Sequence, residues 1–354
     1  HLWKGTIMGK KMSLLLIPIS FLISACTPPI PPEVLASYAE QEVLCAQGDV
    51  VVKGSTNTQN VIQSGIDLYL SSCPEANVTF DLSSENPNLI VSDLSVAEPE
   101  MCSNPELTTS LMNQFSTLVY YGEGLDGIFL TSEAAYSLLT GEITNWNDPL
   151  IQESNPELVM PDIPVNFLQI EKFHASDIAF ITWIETSAGK KINLKPQKVI
   201  PDVESLLSEL SNTNGSFALL PSNVIYDNAL TYANFKNSET QFLFDSTSFA
   251  NAASQVFIEE KPNSVIGYLD PEVMPEVNEQ NDPLTSWQAI SYFNIALCND
   301  TNNAARTFMR FLTRLDAQGQ LETFGYFPLT ETLRTKIATK IGETLPTPSI
   351  DPSI

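Results

Sequence analysis

Residues 50–70 read VVVKGSTNTQNVIQSGIDLYL, and the order of their chemistry decides the class of fold. Val50, Val51 and Val52 form a β-branched run of the kind that suits a strand. Gly54-Ser55-Thr56-Asn57-Thr58 follows as a turn, and from about Gln59 to Leu70 the spacing predicts a helix with Val61, Ile62, Gly65, Ile66 and Tyr69 on one face. Strand, glycine-containing turn and amphipathic helix make up the repeating unit of an α/β protein. The turn itself has two readings. Glycine permits close approach, the Ser55 and Thr56 hydroxyls donate, and the helix N-terminus adds partial positive charge, so the turn can cradle an anion. Equally, Ser55, Thr56 or Thr58 can simply cap the helix.

Working outward, strand and helix patterns keep alternating. Asn77 to Leu82 and Asn88 to Val91 read as strands, the second ending at Ser92-Asp93. Ser132 to Leu139 reads as a helix, Pro164 to Ile170 as a strand, Asp177 to Glu185 and Val203 to Leu210 as helices. Ser216 to Leu220 and Ile290 to Leu297 read as buried strands, and Thr301 to Gln318 as one helix with Arg306, Arg310 and Arg314 outward. The stretch 343–354 is a Pro/Ser-rich tail.

Hydrophobic residues at 43% and charged residues at 17% describe a globular chain with a sizeable core. The charge is lopsided, 17 Lys+Arg against 42 Asp+Glu. Such a surface repels nucleic acid and anionic lipid headgroups, which makes both poor partners. The beginning of the chain has a separate logic. Lys10-Lys11 precede an apolar run from Leu14 to Ile23, too short to span a bilayer, and Ser24-Ala25-Cys26 closes it with small residues before a cysteine. The pattern resembles a bacterial lipobox, which implies a signal peptide over 1–25, cleavage before Cys26 and a diacylglycerol on its sulfur. Residues 26–44 then form a tether that begins with the stiff run Thr27-Pro28-Pro29-Ile30-Pro31-Pro32. The expected place is outside the cytoplasm, lipid-anchored to the cell membrane. There the even set Cys45, Cys73, Cys102 and Cys298 is expected to form two disulfides, with three connectivities open. The sequence offers no metal site and implies no cofactor: His1 and His174 are its only histidines, and no Cys-x-x-Cys occurs. It also lacks a Gly-x-Ser-x-Gly elbow, a P-loop and a His-Glu-x-x-His, so it reads as a non-enzyme.

Three further segments carry a family resemblance. Leu139-Thr140-Gly141-Glu142-Ile143-Thr144-Asn145-Trp146-Asn147-Asp148-Pro149, then Met160-Pro161-Asp162-Ile163-Pro164-Val165, then Phe324-Gly325-Tyr326-Phe327-Pro328-Leu329 together resemble the PstS-type phosphate-binding proteins that serve ABC importers. The resemblance spans roughly residues 48 to 330. It implies a type II periplasmic-binding-protein fold: two lobes, each a mixed sheet flanked by helices, joined by two hinge strands, with a ligand between them. The first lobe would comprise 45–123 and 287–342, and the second 124–286. It also implies a monomer that hands a small oxyanion, phosphate, to an ABC permease.

Residue by residue, the resemblance places Ser55 and Thr56 in the family's first phosphate loop and Asp93 as the acid that accepts from a protonated oxyanion. Ser83 or Ser84 stands where the family has a serine in a Gly-rich loop. The fourth element departs from the pattern. The family has an Arg and a Ser-Gly-Thr turn at a helix start, whereas this chain reads Gln169-Ile170-Glu171-Lys172-Phe173-His174-Ala175-Ser176-Asp177. Lys172 can supply a point charge but no bidentate fork. Ser176 can donate to a ligand or be the helix N-cap, and Glu171 and Asp177 oppose a dianion. This departure motivates a second expectation, a diverged binding-fold lipoprotein that takes another small ligand or acts as a sensor. In either case Trp146 and Trp183 read as packing residues, His174 as a loop residue near the cleft rim, and the arginine stripe as a solvated face.

Overall fold

The strand, turn and helix at residues 50–70 are present in the computed structural model, which describes residues 43–238, 240–270 and 285–344. The predicted signal segment, Cys26, most of the tether and the tail from residue 345 lie outside the described residues. The strands are β1 (Asp49–Lys53), β2 (Asn77–Phe80), β3 (Leu89–Ser92), β4 (Leu107–Tyr121), β5 (Phe129–Leu130), β6 (Asn166–Ile170), β7 (Lys198–Ile200), β8 (Ser216–Pro221), β9 (Asn234–Asn237), β10 (Thr240–Phe242), β11 (Phe257–Lys261), β12 (Ser264–Tyr268) and β13 (Ile290–Leu297). The helices are α1 (Thr56–Ser72), α2 (Ser132–Leu139), α3 (Pro149–Ser154), α4 (Ala175–Ala188), α5 (Val203–Asn212), α6 (Ser222–Asp227), α7 (Ser246–Ser254), α8 (Ala304–Phe311), α9 (Leu315–Gln318) and α10 (Glu331–Thr344).

Two sheets share one strand. In the first, the order is β2-β1-β3-β13-β4, with β1, β2 and β3 parallel and β13 antiparallel between β3 and β4. In the second, the far half of β4 pairs antiparallel with β8, followed by β6 and β7, both parallel to β8. The long β4 therefore belongs to the first sheet through Phe115 and to the second from Ser116. The chain returns beside it, where Ser116 N–H donates to Ala289 O at 3.3 Å and Ile290 pairs with Phe115. Crossing and return lie side by side, so the two lobes are joined by a continuous backbone ladder. The hairpin β11–β12 attaches to the near half of β4, Ser264 pairing with Thr108. That hairpin falls within the stretch 124–286 expected for the second lobe, yet it is hydrogen-bonded to the first sheet.

The core follows from the periodicity. Val61, Ile62, Ile66 and Tyr69 of α1 are buried, and Tyr69 packs against Phe308 and Phe311 with ring centroids 5.2 and 5.0 Å apart. The Asn-Trp-Asn-Asp-Pro stretch is explained by its bonds. Trp146 is buried and donates its indole N–H to Gly215 O at 2.8 Å, Asn145 donates to Asp162, and Asp148 caps α3 with Pro149 at its first position. Gly215 lies at φ +81°, and a Cβ there would strike the Pro164 carbonyl, so glycine is required. Trp183 packs among Phe235, Phe242 and Trp287, so both tryptophans are packing residues. The four cysteines pair as Cys45–Cys73 and Cys102–Cys298. The helix expected over Thr301 to Gln318 is broken: α8 ends at Phe311 and α9 resumes at Leu315. Its arginines are half-buried, Arg306 pairing with Glu106 at 2.7 Å and Arg314 with Asp316 at 3.0 Å. No helix among the described residues is long and apolar enough to cross a membrane.

Candidate functional site

The parallel strands of both sheets end toward the same gap. β1 and β3 of the first lobe deliver the Gly54–Thr58 turn and the Asp93–Glu98 loop; β6 of the second delivers the loop Glu171–His174 that begins α4. Strand carboxyl ends and helix N-termini are where α/β sheets bind ligands.

At the centre of this gap stands His174, the residue before α4, only 5% exposed. Its Nδ1 lies 3.1 Å from Asp93 Oδ2 and 3.6 Å from Glu98 Oε1, both carboxylates coming from the other lobe. Its Nε2 lies 3.2 Å from the Asn57 carboxamide. Asp93 Oδ2 also accepts the Ala175 N–H at 2.9 Å, and Asp93 Oδ1 accepts the Ser95 N–H at 2.8 Å. The first-lobe carboxylate thus sits on the N-terminus of a second-lobe helix, the position an anion favours. The turn that holds it is strained: Leu94, 66% exposed, adopts φ +67°, a conformation costing a side-chain-bearing residue about 1–2 kcal/mol.

A second layer ties this contact to the crossing strand. Asp177 Oδ2 accepts the His174 backbone N–H at 2.9 Å, and Asp177 Oδ1 accepts the Ser116 hydroxyl at 2.6 Å. Ser176 Oγ lies 2.7 Å from Ser116 Oγ and donates to Gln114 Oε1 at 3.0 Å; Gln114 in turn donates to Asn223. Glu98 Oε1 accepts the Ser55 hydroxyl at 2.9 Å, while Glu98 Oε2 is buried with no partner. Tyr326, from the Gly-Tyr-x-Pro-Leu segment, donates to Asn57 O at 3.1 Å, and Gly325 at φ +71° makes room against Ser222 and Asn223.

The charges follow from these contacts. Burial would raise the Asp93 pKa, but hydrogen bonding and attraction from His174, with the Ser95 and Ala175 donors, hold it below the usual value. Burial would lower His174, but Asp93, Asp177 and Glu98 together hold it above its usual value. The His174 imidazole thus faces the Asp93 carboxylate, which favours its protonated form more than water does. Burial is also the largest influence on Glu98 and Asp177, and there it prevails: Glu98 is pushed up to about 7 and Asp177 to about 6.

The sequence-predicted residues therefore separate. Ser55, Asp93 and Ser176 lie within one connected polar network. Thr56 is exposed, and Ser83 and Ser84 lie on an exposed turn where Ser83 binds Asp81 and the Ser84 carbonyl binds Lys53. Lys172 is exposed on the wall of a cavity of about 140 Å³ also lined by Asn57, Ala97, His174, Asp177 and Asp202. His174 is central and buried, not at the rim. Ser176 is not the N-cap, a position His174 holds. At α1, Ser55 is the N-cap residue but spends its hydroxyl on Glu98, while Thr58 Oγ1 accepts the Ser55 N–H at 3.0 Å. Sequence reasoning missed Asn57, Glu98, Gln114 and Ser116; no local pattern marks them, because their partners arrive from other elements. No group of His, Cys, Asp and Glu side chains among the described residues is arranged to hold a metal ion.

No protein-family model matches the sequence, and no curated protein sequence matches it. Solved structures do. The phosphate-binding protein from Stenotrophomonas maltophilia is 10% identical at a TM-score of 0.51, covering 82% of this chain and 93% of its own. An ancestral soluble variant of the human phosphate-binding protein is 12% identical at a TM-score of 0.55, with the same coverage of 82% and 93%. A periplasmic phosphate-binding protein bound with phosphate, PfluDING, is 12% identical at 0.53, again covering 82% and 93%. The fold is that of the two-lobe PstS-type phosphate-binding proteins.

Proposed function

We propose that this chain is a lipid-anchored extracytoplasmic solute-binding protein that keeps the two-lobe phosphate-binding fold but takes a ligand other than phosphate. One observation carries this reading: the acid expected to receive a protonated oxyanion, Asp93, is already bonded to His174 and Ala175 of the opposite lobe. Phosphate reaching that position must displace the buried His174 imidazole and then face Asp93, Glu98 and Asp177. Lys172 is the cation on the cavity wall, and it is a point charge without a fork. Carboxylates outnumber cations around the gap, which suits a neutral or cationic solute. The cavity beside His174 has room for about four or five waters, hence for a small solute. A lipid on Cys26 and transfer to an ABC permease complete the reading; an anchored sensor without a permease uses the same site.

The phosphate reading is supported by the ligands of the structural neighbours, one of which is bound with phosphate. Isothermal titration of full-length protein, purified free of phosphate, separates the two. The expected result is no heat with phosphate at micromolar protein, and a rise in melting temperature with at least one member of a panel of small sugars, amines and amino acids. Micromolar phosphate binding overturns the proposal.

A further inference from the structure

We infer that Asp93 is a built-in ligand: its carboxylate occupies the anion position at the α4 N-terminus and closes the two lobes on each other without any solute. The inference concerns the state of the cleft and does not depend on which solute is captured. In a two-lobe receptor the bound molecule bridges lobes that otherwise part. Here the bridge is covalently part of the first lobe. Asp93 Oδ2 accepts both the Ala175 N–H at 2.9 Å and the His174 imidazole at 3.1 Å, the two groups of the second lobe aimed at an anion. The Ser95 N–H fixes the other carboxylate oxygen at 2.8 Å, so the carboxylate is held in orientation from its own side. Asp93, Glu98 and His174 are each more than nine-tenths buried, and Glu98 Oε2 is buried with no hydrogen-bond partner. Asn57, held at its carbonyl by Tyr326, meets the remaining imidazole nitrogen. A solute that closes this cleft must act beside the bridge, in the cavity lined by Lys172 and Asp202, or must replace it.

The inference makes an inverted prediction for Asp93→Ala. In a receptor whose Asp93 contacts an anionic ligand, the substitution only weakens binding. Here it leaves the α4 N-terminus and His174 facing a void the size of a carboxylate, so the variant gains affinity for formate that the unaltered protein lacks. The test is the distance between spin labels at Ser71→Cys on α1 and Ser208→Cys on α5, both exposed, in full-length protein without solute. Unaltered Asp93 is expected to give a single short distance, unchanged by formate. Asp93→Ala is expected to add a longer distance that millimolar formate removes. Asp93→Asn, nearly the same size, serves if the alanine variant does not fold, and is expected to lengthen the distance without response to formate. A long distance in the unaltered protein, an Asp93→Ala or Asp93→Asn distribution identical to it, or a lengthened Asp93→Ala distribution indifferent to formate each overturns the inference. Solute titrations that fail while these distances behave as expected remove the receptor reading and leave this one standing.

Discussion

The two helix starts that meet across the gap have the same local design and opposite fates. α1 follows β1 through Gly54-Ser55, and α4 follows β6 through Phe173-His174. At α1 the first turn holds no acid, Thr56 is exposed, and Thr58 satisfies the Ser55 N–H. At α4 the first turn holds Asp177, and a second carboxylate, Asp93, arrives from the other lobe. Helix N-termini attract negative charge. The α1 start meets its carboxylate, Glu98, through the Ser55 hydroxyl within its own lobe, and the α4 start meets Asp93 through a backbone N–H from across the gap. The same strand–turn–helix backbone can thus carry two different arrangements of charge.

The contrast can be broken most forcefully at Asp93. Removing one member of a buried ion pair costs about 3–5 kcal/mol, so urea unfolding of Asp93→Ala is expected to show a loss of that order at pH 7. An unchanged midpoint would mean that the α4 terminus needs no internal anion.

The next largest effect is pH. Asp93, held low, contributes stability above the ordinary carboxylate pKa and loses it as pH falls through its folded value. His174, held high, contributes below its ordinary value and loses it as pH rises through the folded one. Glu98 and Asp177 act oppositely to Asp93: raised to about 7 and about 6, they keep protons on folding that the unfolded chain releases near pH 4, so stability falls as pH climbs toward 7. The optimum is therefore mildly acidic, with the melting temperature falling from pH 5 to pH 8. Glu98→Gln is expected to flatten that slope and to stabilise the protein at pH 8 by on the order of 2–3 kcal/mol. A flat profile in the unaltered protein contradicts the assigned charges.

At α1 the effect is smallest. Thr58→Ala removes a cap interaction and is expected to cost about 1 kcal/mol, nearly equally at pH 5 and pH 8, because Thr58 bonds the Ser55 backbone and not the Glu98 carboxylate. A pH-dependent cost at Thr58 would show that the two termini are coupled.

Much of the fold was legible because β1, α1, α2 and β13 carry periodicities that survive tertiary context. Ser132–Leu139 and Ile290–Leu297 coincide with their predicted bounds. The crossing strand β4 was not read at all. Its residues 107–121 are buried on both faces and include Ser110, Asn113, Gln114, Ser116 and Thr117. Polar residues buried on both faces erase the alternation that identifies a strand. At the site, Ser55, Asp93 and Ser176 could be found because strand ends and helix starts have local signatures. His174 could not be placed, because its partner Asp93 lies 81 residues away and comes within reach only when the lobes meet.

Ser116 has a consequence for how this molecule can move. Its N–H bonds the returning strand, its carbonyl accepts the Trp287 indole, and its hydroxyl reaches Ser176 and Asp177. The pivot of the lever is thus wired to its latch through Asp177, which holds the Ser116 hydroxyl with one oxygen and the His174 N–H with the other. A change at the cleft that shifts Asp177 therefore acts on a group already bonded to the axle.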